Sequence, residues 1–317
     1  MLTKKIFLFT ILLYLVVAVT SCSKDKDGDP PPIENKWSKQ VSGTSEVLLG
    51  VSFVDENKGY AVGTNGVIRI TSDAGATWAT QASGSTRFLR DVYFSSTTNG
   101  TIVGESGLIL HTTDGANWVT QTSGTSEHLV HVHFSSNMVG MAVGQEGVVL
   151  KTIDGGITWT SQVSGTNAEL PGVHMLNDNT AVAVGFGGKV LRTTDGGSTW
   201  SLIPVVGLSA DLRSVHFSGN LGMAVSIGGK IIRTTDGGQT WSSVSSSTSS
   251  DLYAVRFADA NTVYAVGTGK ILASKDGGVT WVAEITDFFG GDLYGLSLQG
   301  EKGWTVGQGG LLLQRND

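Results

Sequence analysis

One pattern, T/S-x-D-x-G-x-T-W, returns along the chain at nearly constant spacing and limits the possible folds more than any other feature. It reads TSDAGATW at 71–78, TIDGGITW at 152–159, TTDGGSTW at 193–200, TTDGGQTW at 234–241 and SKDGGVTW at 274–281, with a shortened copy, TTDGANW, at 112–118. The aspartates Asp73, Asp114, Asp154, Asp195, Asp236 and Asp276 are spaced by 41, 40, 41, 41 and 40 residues. A period of about 40 residues implies a solenoid or a propeller.

Each unit carries four strand signals. The first is L-x-x-V-x-F, as at 89–94 and 252–257; the second is G-x-A-V-G, as at 59–63 and 140–144. The third follows a glycine turn, as at 147–152, and the fourth starts at the motif tryptophan. Short, evenly spaced strands between glycine turns predict four-stranded antiparallel blades. Helical repeats of similar period are excluded, because glycine and β-branched residues occupy what would be helix interiors.

The first three strand signals occur seven times, the last beginning at Leu293, but the chain stops at Asp317, the first acidic residue of a seventh motif. The fourth-strand tryptophan also occurs seven times: Trp37, Trp78, Trp118, Trp159, Trp200, Trp241 and Trp281. Trp37 precedes the first unit and is 41 residues before Trp78, in step with the rest. The expected fold is therefore all-β: one seven-bladed propeller over 35–317, in which the segment around Trp37 docks beside the C-terminal strand ending at Asp317. Such exchange leaves no bare sheet edge.

Within the motif, the aspartate can accept hydrogen bonds from turn amides, and Gly75, Gly156, Gly197, Gly238 and Gly278 can take positive φ. The tryptophans can pack between blades. Six equivalent copies cannot form one active site, and each offers one carboxylate where calcium wants several oxygens. Asp73, Asp114, Asp154, Asp195, Asp236 and Asp276, with Trp78, Trp118, Trp159, Trp200, Trp241 and Trp281, are therefore expected to be structural.

The N-terminus reads as an address. Lys4 and Lys5 precede an apolar run of about 14 residues, shorter than the ~20 of a spanning helix. The following VTSC, Val19–Cys22, resembles a bacterial lipobox, which implies a signal peptide over 1–21 and acylation of Cys22. Cys22 is the only cysteine, so the mature fold has no disulfide. Residues 22–34, charged and proline-rich, are expected to be a solvated tether. The acidic stretch also resembles a surface-export signal of Bacteroidota lipoproteins. The expected location is the bacterial envelope, lipid-anchored, at the outer membrane and on its surface. A net charge of −6 gives nucleic-acid binding no support.

The motif is identified as the Asp-box, or BNR repeat. The longer stretch 222–241, GMAVSIGGKIIRTTDGGQTW, resembles the photosystem II stability and assembly factor family, whose members are seven-bladed propellers. Sialidases, Asp-box xyloglucanases and sortilin-type receptors share the box. In the assembly factors, arginine often precedes the box threonine and contributes to a basic patch that holds client protein. The matching positions here are Ile70, His111, Lys151, Arg192, Arg233, Ala273 and Gln314. The resemblance thus implies a basic arc of His111, Lys151, Arg192 and Arg233. The alternative is that these strand-end cations cover apolar neighbours and face water.

Loop composition marks a second surface. Polar loops follow the first four tryptophans, but Ile203, Pro204, Val205 and Val206 follow Trp200, and Phe288 and Phe289 follow Trp281. Phe186 and Ile227, on glycine turns of blades 4 and 5, are expected on the same face, either as an exposed docking patch or buried over the channel mouth. His133, His174 and His216 share one position in blades 3, 4 and 5, with His131 nearby; a metal is conceivable there, but no carboxylate is fixed beside them and none is assigned. Glu105 and Glu146, on turns of neighbouring blades, are the best glycosidase-like pair. No nucleophile elbow is present. The expected function is a non-catalytic, envelope-anchored propeller that binds another envelope protein and needs no cofactor. The alternatives are a carbohydrate-binding protein or a sialidase-like or xyloglucanase-like hydrolase.

Overall fold

A computed structural model describes residues 36–286 and 290–315. Cys22, Phe288, Phe289 and Asp317, with the proposed leader and tether, lie outside the described residues. Seven four-stranded antiparallel sheets form the blades of a propeller. Blade 1 comprises Leu48–Phe53, Gly59–Gly63, Ile68–Thr71 and Ala79–Gln81, innermost strand first. The innermost strands of blades 2 to 7 are Leu89–Phe94, Leu129–Phe134, Gly172–Met175, Leu212–Ser218, Leu252–Phe257 and Leu293–Gln299. Outermost strands begin one residue after the motif tryptophan, at Ala79 and Thr160 for example, because the indole is held inside the box. Third strands start later than the glycine turn suggests: Gln145–Gly147 form a tight 3-10 turn before Val149–Thr152.

Blade 7 is closed from both termini. Its sheet runs Leu293–Gln299, Lys302–Gly307, Leu312–Arg315 and then Trp37–Lys39, antiparallel, with Trp37 opposite Arg315 and Lys39 opposite Leu313. The Gln40 amide donates to the Leu312 carbonyl at 2.9 Å, and Ser42 Oγ donates to the Gly310 carbonyl at 2.6 Å. Trp37, only 2 % exposed, packs edge-on to Tyr264 of blade 6, and its Nε1 donates to Glu284 Oε2 at 2.9 Å. The terminal strand thereby completes its own blade and stitches it to the preceding one.

Among the described residues the buried apolar side chains form seven clusters, each at one junction between adjacent blades. At the 7–1 junction, Trp304 stacks on Phe53 at 3.5 Å between centroids, and Trp78 meets Phe53 edge-on at 5.9 Å. Neighbouring innermost strands belong to different sheets, so their facing amides have no ladder partner and must be satisfied otherwise. Side chains of the preceding blade do this. Asp91 Oδ2 accepts from the Val132 amide at 3.0 Å, His133 Nδ1 from Met175 at 3.2 Å, His216 Nδ1 from Phe257 at 3.3 Å, and Ser297 Oγ from Phe53 at 3.0 Å.

Candidate functional site

The six boxes are turn devices. In the first, Asp73 Oδ1 accepts from the Thr77 amide at 2.9 Å and from Thr71 Oγ1 at 2.7 Å, and Oδ2 from Thr77 Oγ1 at 2.5 Å. These donors, Thr77 foremost, hold the Asp73 carboxyl down at about 2. Gly75 sits at φ +95°, in the left-handed region, and its carbonyl accepts from Trp78 Nε1 at 3.1 Å. The pattern repeats around Asp154, Asp236 and Asp276, with Trp159, Trp241 and Trp281 bonded likewise. Asp195 makes the same contacts to Thr199, but Trp200 Nε1 has no partner among the described residues. In the shortened box Asn117 replaces the threonine on Asp114, and Trp118 Nε1 turns instead to Gln81 Oε1 of blade 1, at 3.0 Å. Both carboxylate oxygens are thus engaged in holding the turn.

The cations before the box threonine lie at blade junctions, each reaching the next blade's box. Arg192 Nε donates to the Gly237 carbonyl at 2.9 Å, and Arg233 Nε to the Gly277 carbonyl at 2.8 Å. Lys151 Nζ lies against Gly196, where an added Cβ would collide with it. His111 is 5 % exposed, and burial pushes its imidazole down from the usual range despite the Asp154 charge, so it adds neither charge nor surface to the arc. Arg192 and Arg233 are half-buried, and neither forms an ion pair among the described residues. Arg192 shares a surface cavity of about 300 Å³ with Ile203, Thr199 and Gln239. A cation and an apolar residue that the sequence pattern assigns to separate surfaces therefore line one depression.

The apolar loop divides. Ile203, Val205 and Leu208 pack against the blade 4–5 cluster, whereas Val206 is 97 % exposed and Leu202 is 59 % exposed. Ile227 is half-buried on its turn, and Phe186 carries the Arg213 guanidinium over its ring at 4.6 Å.

Along the axis two cavities meet at a waist of Val51, Asp91, His131, Arg256 and Leu296, which line both. The smaller, about 160 Å³, opens among Leu49, Arg90, Val130, Arg213, Tyr253 and Tyr294. Each of these is the extra residue of a β-bulge near the start of its innermost strand, and a bulge re-aims the side chain that a regular ladder would tuck away. The larger, about 390 Å³, is lined by the 1–2 turns and by Ser52, Tyr93, His133, His216, Arg256 and Ser297. It opens on the Asp-box side, because the 1–2 turns bond to the boxes there, as from the Ala74 amide to the Asn57 carbonyl.

Tyr93, His133, His174 and His216 form successive ring contacts around blades 2 to 5, at 5.1, 4.2 and 4.8 Å. Burial keeps all three histidines neutral, well below the usual range. A ligating imidazole needs one nitrogen's lone pair for the metal while the other donates its proton outward. In His133 and His216 Nδ1 instead accepts an amide proton, so Nε2 must carry the N–H. His133 and His216 are therefore set with the wrong polarity for a metal, whereas His174 Nδ1 has no hydrogen-bond partner among the described residues; no group of three or more ligand residues occurs among them. At the waist, burial pushes His131 down to about 3 and Asp91 up to about 6, with the Val132 amide and Arg256 opposing the latter. Sequence reasoning missed Asp91, Arg256 and the bulge residues. The alignable signal was their shared position in the L-x-x-V-x-F strand.

Glu105 and Glu146 do not form a pair across a cleft. Glu105 is tied to the Phe88 amide at 3.3 Å and to Arg90 at 3.6 Å. Glu146 is exposed and matches Ser106, not Glu105, each at φ 52°. Neither lines either axial cavity.

The sequence matches the model of the family described as photosynthesis system II assembly factor YCF48, over residues 30–123, 116–241 and 239–317. The chain belongs to the YCF48 family. A solved YCF48 bound to D1 peptide superposes with a TM-score of 0.76 at 24 % identity, covering 91 % of this chain and 99 % of that one. YCF48 from Cyanidioschyzon merolae gives 0.73 at 23 %, covering 88 % and 98 %. A catalytically inactive virginiamycin B lyase from Staphylococcus aureus, with quinupristin, reaches 0.78 at 12 % identity, covering 88 % and 98 %, a likeness of fold alone. No curated protein matched the sequence.

Proposed function

We propose that this YCF48-family propeller is a non-catalytic binding protein that holds an acidic, partly apolar segment of another envelope protein. The observation that carries this reading is the pair of junction arginines. Arg192 and Arg233 are each anchored through Nε, leaving the outer guanidinium nitrogens unpaired by any carboxylate among the described residues. Arg192 stands beside Ile203 in a ready depression. Arginine held by one N–H keeps its planar fork available for a carboxylate. The solved YCF48 bound to D1 peptide supports protein binding by a propeller of this family. We further propose that Cys22 is acylated and tethers the propeller to the envelope, at the outer membrane.

The test is crosslinked co-purification from native envelopes with wild type, an Arg192→Gln/Arg233→Gln variant of unchanged melting midpoint, and Cys22→Ser. One specific protein should be recovered with wild type and reduced at least tenfold with the arginine variant, while Cys22→Ser leaves the membrane fraction. Equal recovery with the arginine variant refutes the arc as the site. Retention of Cys22→Ser in the membrane refutes the anchor.

A further inference from the structure

The side chains that satisfy the innermost strands also set the hydrogen-bonding character of the channel. Unpaired innermost amides consume acceptors from the preceding blade: His133 Nδ1, His216 Nδ1, Ser297 Oγ, Ser214 Oγ and Asp91 Oδ2 are all committed to backbone N–H groups. What the two histidines and the two serines have left is a donor each, whereas Asp91 keeps only acceptors. An imidazole that accepts at Nδ1 must carry its proton at Nε2. A serine that accepts at Oγ keeps its own O–H free to donate. Ser52, at the same strand position in blade 1, makes no side-chain hydrogen bond within the described residues and lines the same cavity. Tyr93 is the exception, since it donates to the Phe134 carbonyl at 3.1 Å.

Arg256 adds a fixed positive charge. Its Nη1 donates to the Val255 carbonyl at 2.9 Å and to Ser214 Oγ at 3.3 Å, and Nη2 lies 3.4 Å from His131 Nε2. Of five guanidinium N–H donors, two remain. The balancing carboxylate, Asp91, lies at the waist, with Oδ2 held by the Val132 amide and 3.6 Å from His131 Nε2. The cavity above that waist, about 390 Å³, has room for a small molecule.

We infer that the Asp-box-side cavity of the channel is a binding site for a small oxyanion, a carboxylate or phosphate group, held by Arg256, His133, His216, Ser52 and Ser297. The ligand class follows from polarity and charge: an acceptor-only group can fill the donors of Arg256, His133, His216, Ser52 and Ser297, whereas a cation would meet the Arg256 guanidinium with only the Asp91 carboxylate, at the waist, to offset it. Burial makes each donor more effective than it would be in water. The site is separate from the junction arginines and does not depend on the protein-binding reading. The raised pKa of Asp91 favours the same ligand on mild acidification, as its competing charge is lost.

The test follows histidine side-chain nitrogens in long-range ¹H–¹⁵N spectra of the purified protein, titrated at low chloride with inorganic phosphate and, separately, with acetate. Saturable shifts are expected at His133 and His216 Nε2, with His128, on a turn-facing loop outside the cavity, unmoved. Response to both anions, to acetate alone or to phosphate alone upholds the site and identifies its source as general, carboxylate or phosphate. Ser52→Ala, which removes a donor the fold does not use, should weaken binding about threefold. Ser52→Asp, which places a carboxylate in the cavity, should weaken it at least tenfold. Absence of shifts with both anions, shifts equal at His128, or unchanged affinity in Ser52→Asp overturns the inference.

Discussion

The closing strand gives the sharpest test of how the ring is held. Trp37→Ala removes an indole that is 2 % exposed, packed on Tyr264 and bonded to Glu284. Truncating a buried tryptophan costs about 3–5 kcal/mol, and leaving Glu284 Oε2 without its indole donor adds about 1 kcal/mol. Arg315 Nε, 3.7 Å from the same oxygen, keeps that addition small. The expected loss is therefore about 5 kcal/mol. An unfolding entropy of about 2.1 cal/mol/K per residue gives about 0.6 kcal/mol/K for roughly 280 residues, so the midpoint should fall by about 8 °C. Calorimetry with a matching urea titration measures it. Val41→Ala is the control: Val41 lies on the same segment but is 82 % exposed, and its midpoint should stay within about 1 °C. A fall of less than about 2 °C for Trp37→Ala would mean that the terminal strand is ornamental and that the other six junctions hold the ring without it.

Two further outcomes follow from the buried charges and the boxes. His131, His133, His174 and His216 all have depressed folded-state values, His131 near 3, so the stability they contribute is present above the unfolded value of about 6.5 and is lost as pH falls below it. Asp91, raised to about 6, works the other way, gaining stability as pH falls from about 6 toward 4, but it is one group against four. The urea midpoint should therefore decline steadily from pH 6.5 to 4; a flat or rising midpoint contradicts the buried neutral row. Asp236→Ala, which strips acceptors from the Gln239 and Thr240 amides and from two hydroxyls, should cost about 2 kcal/mol. A midpoint unchanged in urea would show that the turn holds without its carboxylate.

The fold was legible because its information is periodic. A repeat of 40 or 41 residues and seven fourth-strand tryptophans, of which Trp37 precedes the first unit in step with the rest, specify blade number, strand order and closure before any contact is known. The sites were less legible because they depend on where equivalent positions converge. Asp91, His131 and Arg256 meet at one waist, yet they come from blades 2, 3 and 6, and the last is 125 residues from His131. No local pattern announces such a meeting. His111 looked like part of a charged arc because its neighbours in register are Lys151 and Arg192. Burial, which register alone does not encode, removes it.

The same device, a side chain of one blade satisfying the backbone of the next, recurs at more than one radius of the ring. Near the axis, acceptor side chains of one blade take up amides of the next. Farther out, donor side chains take up box carbonyls of the next: Trp304 on Ala74, Tyr60 on Gly115, Arg192 on Gly237 and Arg233 on Gly277. Trp304 and Tyr60 spend their single donor on that carbonyl, so no donor is left over for a ligand. Arginine spends one of five and keeps the rest. A junction that uses arginine where tryptophan or tyrosine would suffice structurally therefore carries surplus donors at the surface. In the binding role proposed above, that surplus, rather than the mere presence of positive charge, directs the search for a partner to blades 4 and 5.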